Sequence, residues 1–255
     1  MNQSRVLIVD DEISVCQSMA AALENSYEVC TALSGEEGLR LALEDAFDIM
    51  ILDIMMPGMS GMDILTILKK KRPGTQIIMV TGYPSTRTAV QSIKNGAFDY
   101  IPKPFTPEEL RALVKRALVH KRLSLKQSPN NRDTESAPSN YYLIPDHAWA
   151  QVLPNGAVRV GIHPVFLKTI PGVTRLEFPE INETIYQGNT CLQIYDQECR
   201  IHRMWSPVSG CLLEIHSIMK DNLQPARNDP YDRGWILILA PLNLHEELSF
   251  LALTP

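Results

Sequence analysis

Three aspartates and a lysine have the residue types and positions for phosphoryl chemistry. Asp10 and Asp11 end one short apolar run, Asp53 ends another, and Lys103 follows a third. Gathered in one place, three carboxylates repel one another unless a hard cation joins them, and Mg²⁺ is the expected one. An aspartate is a weak nucleophile. It can form an acyl phosphate when such a cation and a nearby lysine neutralise the incoming phosphoryl oxygens. Thr81, at the end of the fourth strand expected in chain order, is placed to donate its hydroxyl to a further phosphoryl oxygen.

For these residues to meet, the elements that carry them must end on one side. The runs VLIVDD (6–11), DIMILD (48–53), IIMVTG (77–82) and FDYIPKPF (98–105) read as buried strands leading into polar residues. Continuous apolar runs separated by amphipathic helical stretches predict a parallel sheet covered on both faces. In such sheets ligands gather at the carboxyl ends of the strands. Helices are predicted over 14–25, over 35–45 with Ser34 as N-cap and Glu37 as its capping-box partner, and over 62–71. Two more are predicted over 86–95, stopped by Gly96, and from Thr106 to Leu125 with Pro107, Glu108 and Glu109 in the first turn. The first domain, residues 1–125, is therefore expected to be α/β, a five-stranded doubly wound parallel sheet.

Residues 126–139, KQSPNNRDTESAPS, contain no large apolar residue and read as a solvated linker. Beyond them, in residues 140–255, the pattern changes. The short runs AWAQVL, AVRVGI, TRLEF, TCLQIYD, GCLLEI and WILILAP, broken by Pro, Gly and Asn, predict a mainly β domain, with LNLHEELSFLAL as a terminal helix.

Composition narrows the function. With 255 residues the chain has room for two domains, and 45% hydrophobic with 21% charged content is ordinary for globular protein. Residues 1–120 carry 12 basic and 15 acidic side chains, 121–139 carry 4 and 2, and 140–255 carry 8 and 12. Neither domain has the basic balance of a nucleic-acid binder, so no nucleic-acid partner is expected. No apolar run approaches the ~20 residues that span a bilayer, and the chain enters a strand with no apolar signal segment; no membrane association and a cytoplasmic location are expected. Cys16, Cys30, Cys191, Cys199 and Cys211 are odd in number, scattered and without a CxxC, which is neither a disulfide framework nor a zinc site.

DDE at 10–12, LDIMMPGMSG at 52–61, VTG at 80–82 and DYIPKPF at 99–105 closely resemble the receiver domain of two-component response regulators, a flavodoxin-like fold. The resemblance covers about the first 120 residues. It implies that Asp53 is the phosphoacceptor for a sensor histidine kinase. Asp10, Asp11, Asp53 and the main-chain carbonyl of Met55 would hold Mg²⁺. Lys103 would pair with the phosphate, oriented by a cis peptide at Pro104, with Thr81 as switch hydroxyl and Tyr100 as switch aromatic. The family's response remodels the face from about Thr86 to Leu123, which then either binds a second receiver, as a homodimer, or releases the C-terminal domain. The only enzymatic activity implied is self-directed: accepting the phosphoryl group and slowly hydrolysing it.

The second half resembles the glycine-cleavage-system H protein, a lipoyl-domain relative with a flattened β-barrel, or barrel-sandwich. The resemblance is carried by YYLIPDHAWAQVLPNGAVRVGI, RLEFPEINETIYQGNTCLQIYD, WSPVSGCLLEI and NDPYDRGWILIL. In that family a lipoylated lysine lies seven residues before the serine of SPVSG. Here that count reaches Cys199, and no lysine lies between Lys168 and Lys220. No lipoate is expected, and the implied role is an output or interaction module for an unknown downstream protein. The alternative is an acyl- or lipoyl-carrier protein of one-carbon metabolism with the receiver as a regulatory attachment, which the missing lysine opposes. At an exposed hairpin tip, Arg200, His202 and Arg203 could lower the pKa of Cys199 and make it reactive; the plain alternative is a semi-exposed cysteine without a role. A hairpin centred near 201 would set Cys191 opposite Cys211, as reduced strand cysteines in a cytoplasmic protein.

Overall fold

The computed structural model describes residues 3–82, 86–126, 137–220 and 222–254. Most of the linker expected at 126–139 lies outside the described residues. Two compact units divide the chain, Met1–Pro84 with Asn95–Ser124, and Ser85–Lys94 with Leu125–Pro255.

The first half alternates strand and helix: β1 (Arg5–Val9), α1 (Ile13–Leu23), β2 (Glu28–Ala32), α2 (Gly35–Glu44), β3 (Ile49–Asp53), α3 (Gly61–Lys71), β4 (Gln76–Thr81), α4 (Thr86–Lys94), β5 (Asp99–Pro102) and α5 (Pro107–Lys126). The five strands form one parallel sheet in the order β2-β1-β3-β4-β5. The strand runs are apolar at every position because both faces are covered. Val6, Ile8, Ile49, Ile51, Ile78 and Val80 pack on one face against Cys16, Met19 and Leu23 of α1 and Leu110, Val114 and Ala117 of α5.

Capping residues set where the helices begin. Ser34 Oγ accepts the Glu37 N–H at 3.3 Å, while the Glu37 carboxylate accepts the Leu33 N–H, one residue ahead of the expected partner. A full reciprocal box opens α5: Thr106 Oγ1 accepts from Glu109 N, and Glu109 Oε2 accepts from Thr106 N.

The second half is mainly β: β6 (Tyr142–Ile144), β7 (Ala148–Val152), β8 (Val158–Ile162), α6 (Pro164–Lys168), β9 (Val173–Glu177), β10 (Thr184–Ile185), β11 (Thr190–Asp196), β12 (Ile201–Trp205), β13 (Gly210–Ile215), α7 (Gln224–Asn228), β14 (Trp235–Pro241), α8 (Leu244–Leu248) and β15 (Ala252–Leu253). A seven-stranded sheet runs β10-β13-β14-β8-β7-β6-β15, and a three-stranded sheet runs β12-β11-β9; every recorded pairing is antiparallel. The predicted terminal helix shrinks to the five residues of α8. Its last residues instead extend as β15 and pair with β6, Leu253 opposite Tyr142, because an open sheet edge offers them ladder bonds. Trp149, fully buried, lies across the strand pair from Gly161, where a Cβ would come within 2.2 Å of the indole. Only glycine at 161 leaves room for that ring.

Cys191 and Cys211 do not face each other. Cys191 is in β11, whereas Cys211 in β13 pairs with Thr184 and Ala240 in the other sheet. The hairpin turns between Asp196 and Ile201, earlier than a centre at 201 assumes.

Candidate functional site

The carboxyl ends of β1, β3 and β4 and the segment after β5 bring Asp10, Asp53, Thr81 and Lys103 together. Lys103 Nζ donates to Asp10 Oδ2 at 2.6 Å and lies 3.0 Å from Asp53 Oδ1. Asp10 is fully buried, Asp53 is 4% exposed and the Lys103 side chain 20% exposed. The other oxygen of each carboxylate is tied to backbone: Asp10 Oδ1 accepts the Glu12 N–H at 3.0 Å and Asp53 Oδ2 the Met55 N–H at 2.8 Å. The Lys103–Pro104 peptide is cis, and Lys103 N–H donates to the Thr81 carbonyl at 2.7 Å, so lysine and threonine are neighbours. Gly61 keeps the floor thin, since a Cβ there would meet the Asp53 carbonyl oxygen at 2.1 Å.

Burial raises the pKa of Asp53, and the nearby Asp10 charge adds to this; Lys103 and the Met55 N–H act the other way without cancelling it. Burial also works against the Lys103 ammonium, but its bonds to Asp10 and Asp53 more than offset that, and its pKa lies above the usual value. Two carboxylates thus share one ammonium, which leaves the cluster short of positive charge.

Asp11 is exposed and makes no hydrogen bond or ion pair with Asp10, Asp53 or Lys103. Among the described residues no three His, Cys, Asp or Glu side chains stand ready as a metal site. The oxygen donors nonetheless suit a hard cation: the Met55 carbonyl accepts no hydrogen bond from the described residues, and the deficit of positive charge lies beside it. Thr81 and Tyr100 are buried, at 1% and 3% exposure. Glu12, outside the expected set, lies 4.0 Å from Lys103.

Residues 6–115 match the response regulator receiver domain family, and residues 140–254 match the glycine cleavage H-protein family. The chain joins one domain of each family. The chain is similar to the transcriptional regulatory protein ZraR of Klebsiella oxytoca, 34% identical over 159 residues, 62% of this chain and 35% of that protein. The DNA-binding transcriptional regulator NtrC of Escherichia coli (strain K12) is 36% identical over 132 residues, 51% of this chain and 28% of that protein. The chain spans about a third of the length of these curated relatives. Among solved structures, a CheY-like receiver domain protein from Methanospirillum hungatei JF-1 is 37% identical, covering 48% of this chain and 99% of that one, with a TM-score of 0.47. A receiver domain from Clostridium thermocellum is 38% identical, covering 48% and 98%, with a TM-score of 0.46.

In the H-protein domain, the hairpin of β11 and β12 carries Cys199 exposed at its tip, at φ +58°. Beneath it Asp196, 1% exposed, accepts four hydrogen bonds: from Glu198 N and Arg200 N on Oδ1, and from Arg200 Nε and His202 Nε2 on Oδ2. Arg200 also pairs with Glu198. Two of the groups expected to activate Cys199, Arg200 and His202, therefore already bind a carboxylate. Periodicity places Asp196 at a strand end but does not reveal that the turn folds back over it.

Burial opposes the Asp196 charge, but the bonds from His202, Arg200 and Glu198 prevail and hold its pKa down to about 2. A folded-state pKa below the unfolded value means that Asp196 stabilises the domain above pH ~4 and loses this contribution as pH falls toward 2. Urea titrations of wild type and Asp196→Asn should differ by roughly 2 kcal/mol at pH 7, with the gap narrowing below pH ~4 and closing as pH falls through about 2. A gap constant with pH would contradict this account of the hairpin.

Proposed function

We propose that the chain is a two-component response regulator in which Asp53 accepts a phosphoryl group from a sensor histidine kinase. The signal then passes through a non-lipoylated H-protein domain to a protein partner. Lys103 bridging Asp10 and Asp53 is the observation that carries this reading. Residues 1–125 act as the receiver, 126–139 as the linker and 140–255 as the output module, in the cytoplasm and without nucleic acid as a target.

The Asp53 carboxylate attacks phosphorus in line. An O–P bond forms as the N–P bond of the kinase phosphohistidine breaks, and the imidazole leaves with the electron pair. Lys103, already within 3.0 Å of Asp53, pairs with a phosphoryl oxygen. Asp10, Asp11, Asp53 and the Met55 carbonyl would hold Mg²⁺, which would supply further positive charge to those oxygens. The Thr81 hydroxyl donates to a third oxygen, and Tyr100 follows it as the switch aromatic. The altered Thr86–Leu123 face then takes up a second receiver or releases the output domain. Beyond accepting and hydrolysing its own phosphoryl group the chain has no enzymatic role.

Incubation with acetyl phosphate and Mg²⁺ tests the input: intact mass should rise by one phosphoryl group, and an unchanged mass counts against the reading. The output is tested by pull-down with phosphorylated protein against Asp53→Asn. Lipoylation joins lipoate to a lysine amine, and Cys199 with Arg200 offers none at the hairpin tip. Co-expression with a lipoate ligase should leave the mass unaltered, whereas a lipoyl adduct would restore the carrier alternative.

A further inference from the structure

The H-protein domain has an open cavity of about 810 Å³ between the segment entering β9 and the segment entering α7. Residues 140–255 hold 12 acidic and 8 basic side chains, yet three of the eight, Arg175, Lys220 and Arg227, line this one cavity. No acidic side chain lines it among the described residues. Ile170 and Leu223, both buried, and the half-buried Leu176 give it an apolar base.

The three cations differ in how they are held. The Arg175 guanidinium lies 3.8 Å from the centroid of the Tyr195 ring and makes an exposed 3.4 Å ion pair with Glu177. Lys220 and Arg227 have no side-chain hydrogen bond or ion pair with any described residue. Like charges that share a concavity repel, and low-dielectric walls focus their field, so the arrangement favours an anion. Guanidinium groups match the geometry of phosphate oxygens, which they can hold through paired N–H donors. The volume falls in the range of about 300–1,000 Å³ typical of small-molecule sites, which is ample for a nucleotide.

We propose that this cavity binds a small organic phosphate of nucleotide size. Its phosphates sit on Arg175, Lys220 and Arg227 and its organic part on Ile170, Leu176 and Leu223. The site lies outside the receiver chemistry and gives the non-lipoylated domain a ligand of its own.

Isothermal titration of the full chain with ATP, tripolyphosphate and adenosine, in Mg²⁺-free buffer, tests this. ATP should bind, tripolyphosphate more weakly, and adenosine not at all. Lys220→Glu with Arg227→Glu should weaken ATP about tenfold or more, and the paired glutamine substitutions should weaken it less. Both residues are exposed, and circular dichroism checks that the folds persist. Asp53→Asn should bind ATP as wild type does. The proposal falls if millimolar ATP does not bind, if tripolyphosphate or adenosine matches ATP, if the charge reversal leaves affinity unchanged, or if Asp53→Asn abolishes binding.

Discussion

Asp53→Asn should abolish phosphoryl uptake from acetyl phosphate or a phosphorylated kinase while leaving the receiver folded. An asparagine amide cannot form the acyl phosphate, and among the described residues no other carboxylate repeats the Asp53 arrangement. Asp10 is fully buried with both oxygens engaged, by Lys103 and by the Glu12 N–H. The stability effect has the opposite sign from the activity effect. Burial raises the folded-state pKa of Asp53, so its carboxyl favours folding at low pH and loses that contribution as pH rises through the folded pKa. At pH 7 the neutral amide should therefore match or exceed the wild-type receiver in thermal stability. Intact mass after acetyl phosphate treatment reads the first effect and calorimetry the second. A variant that still gains one phosphoryl group would move the acceptor elsewhere and remove the main support for the proposed mechanism.

Asp99→Asn should destabilise the receiver by about 3–5 kcal/mol, because it removes the Asp99 charge from a buried guanidinium. Asp99 is 1% exposed and binds Arg116 Nη2, and Arg116 is 3% exposed in the middle of α5. The other Asp99 oxygen accepts the Tyr100 N–H at 2.8 Å, so the pair joins α5 to the strand that carries the switch aromatic. Burial lowers the Arg116 pKa, and Asp99 works against that loss. Replacing both partners, Asp99→Leu with Arg116→Met, should recover most of the stability, since the desolvated charges go together. The receiver transition in a urea titration separates these outcomes. A single substitution no worse than the double one would mean that the pair carries no such weight.

Much of the receiver was legible because its signals are local. Strands covered on both faces must be apolar at every position, so β1, β3 and β4 announce themselves. Ser34 and Pro107 mark helix starts for reasons contained within one turn. The Thr106–Glu109 box follows the same local rule. Other features depend on residues far apart in sequence. The Asp99–Arg116 pair joins residues 17 apart, and neither lies in a motif that suggests a partner. The end of the chain looked helical by period, but its last residues pair with β6 because a sheet edge was open to them. Around Cys199, Arg200, His202 and Arg203 suggested an activated thiol. Asp196 beneath the turn takes up Arg200 and His202, and a charge count along the chain does not show which partner a cation chooses.

The sequence by itself determined the chemistry this protein has available. Asp10, Asp11, Asp53, Thr81 and Lys103 stand at strand ends, and the stretch from Lys168 to Lys220 offers no amine for lipoate. The strand-end positions follow from residue type and periodicity, which the chain carries locally, whereas the place to look for a lipoyl lysine is what the H-protein resemblance implies. Only the tertiary structure decided which charges meet: Lys103 bridges Asp10 and Asp53 while Asp11 stays exposed, Asp196 locks the hairpin tip, and three cations gather round one cavity of an acidic domain. Charge pairing depends on distance and burial, and folding sets both by joining segments that the sequence keeps far apart.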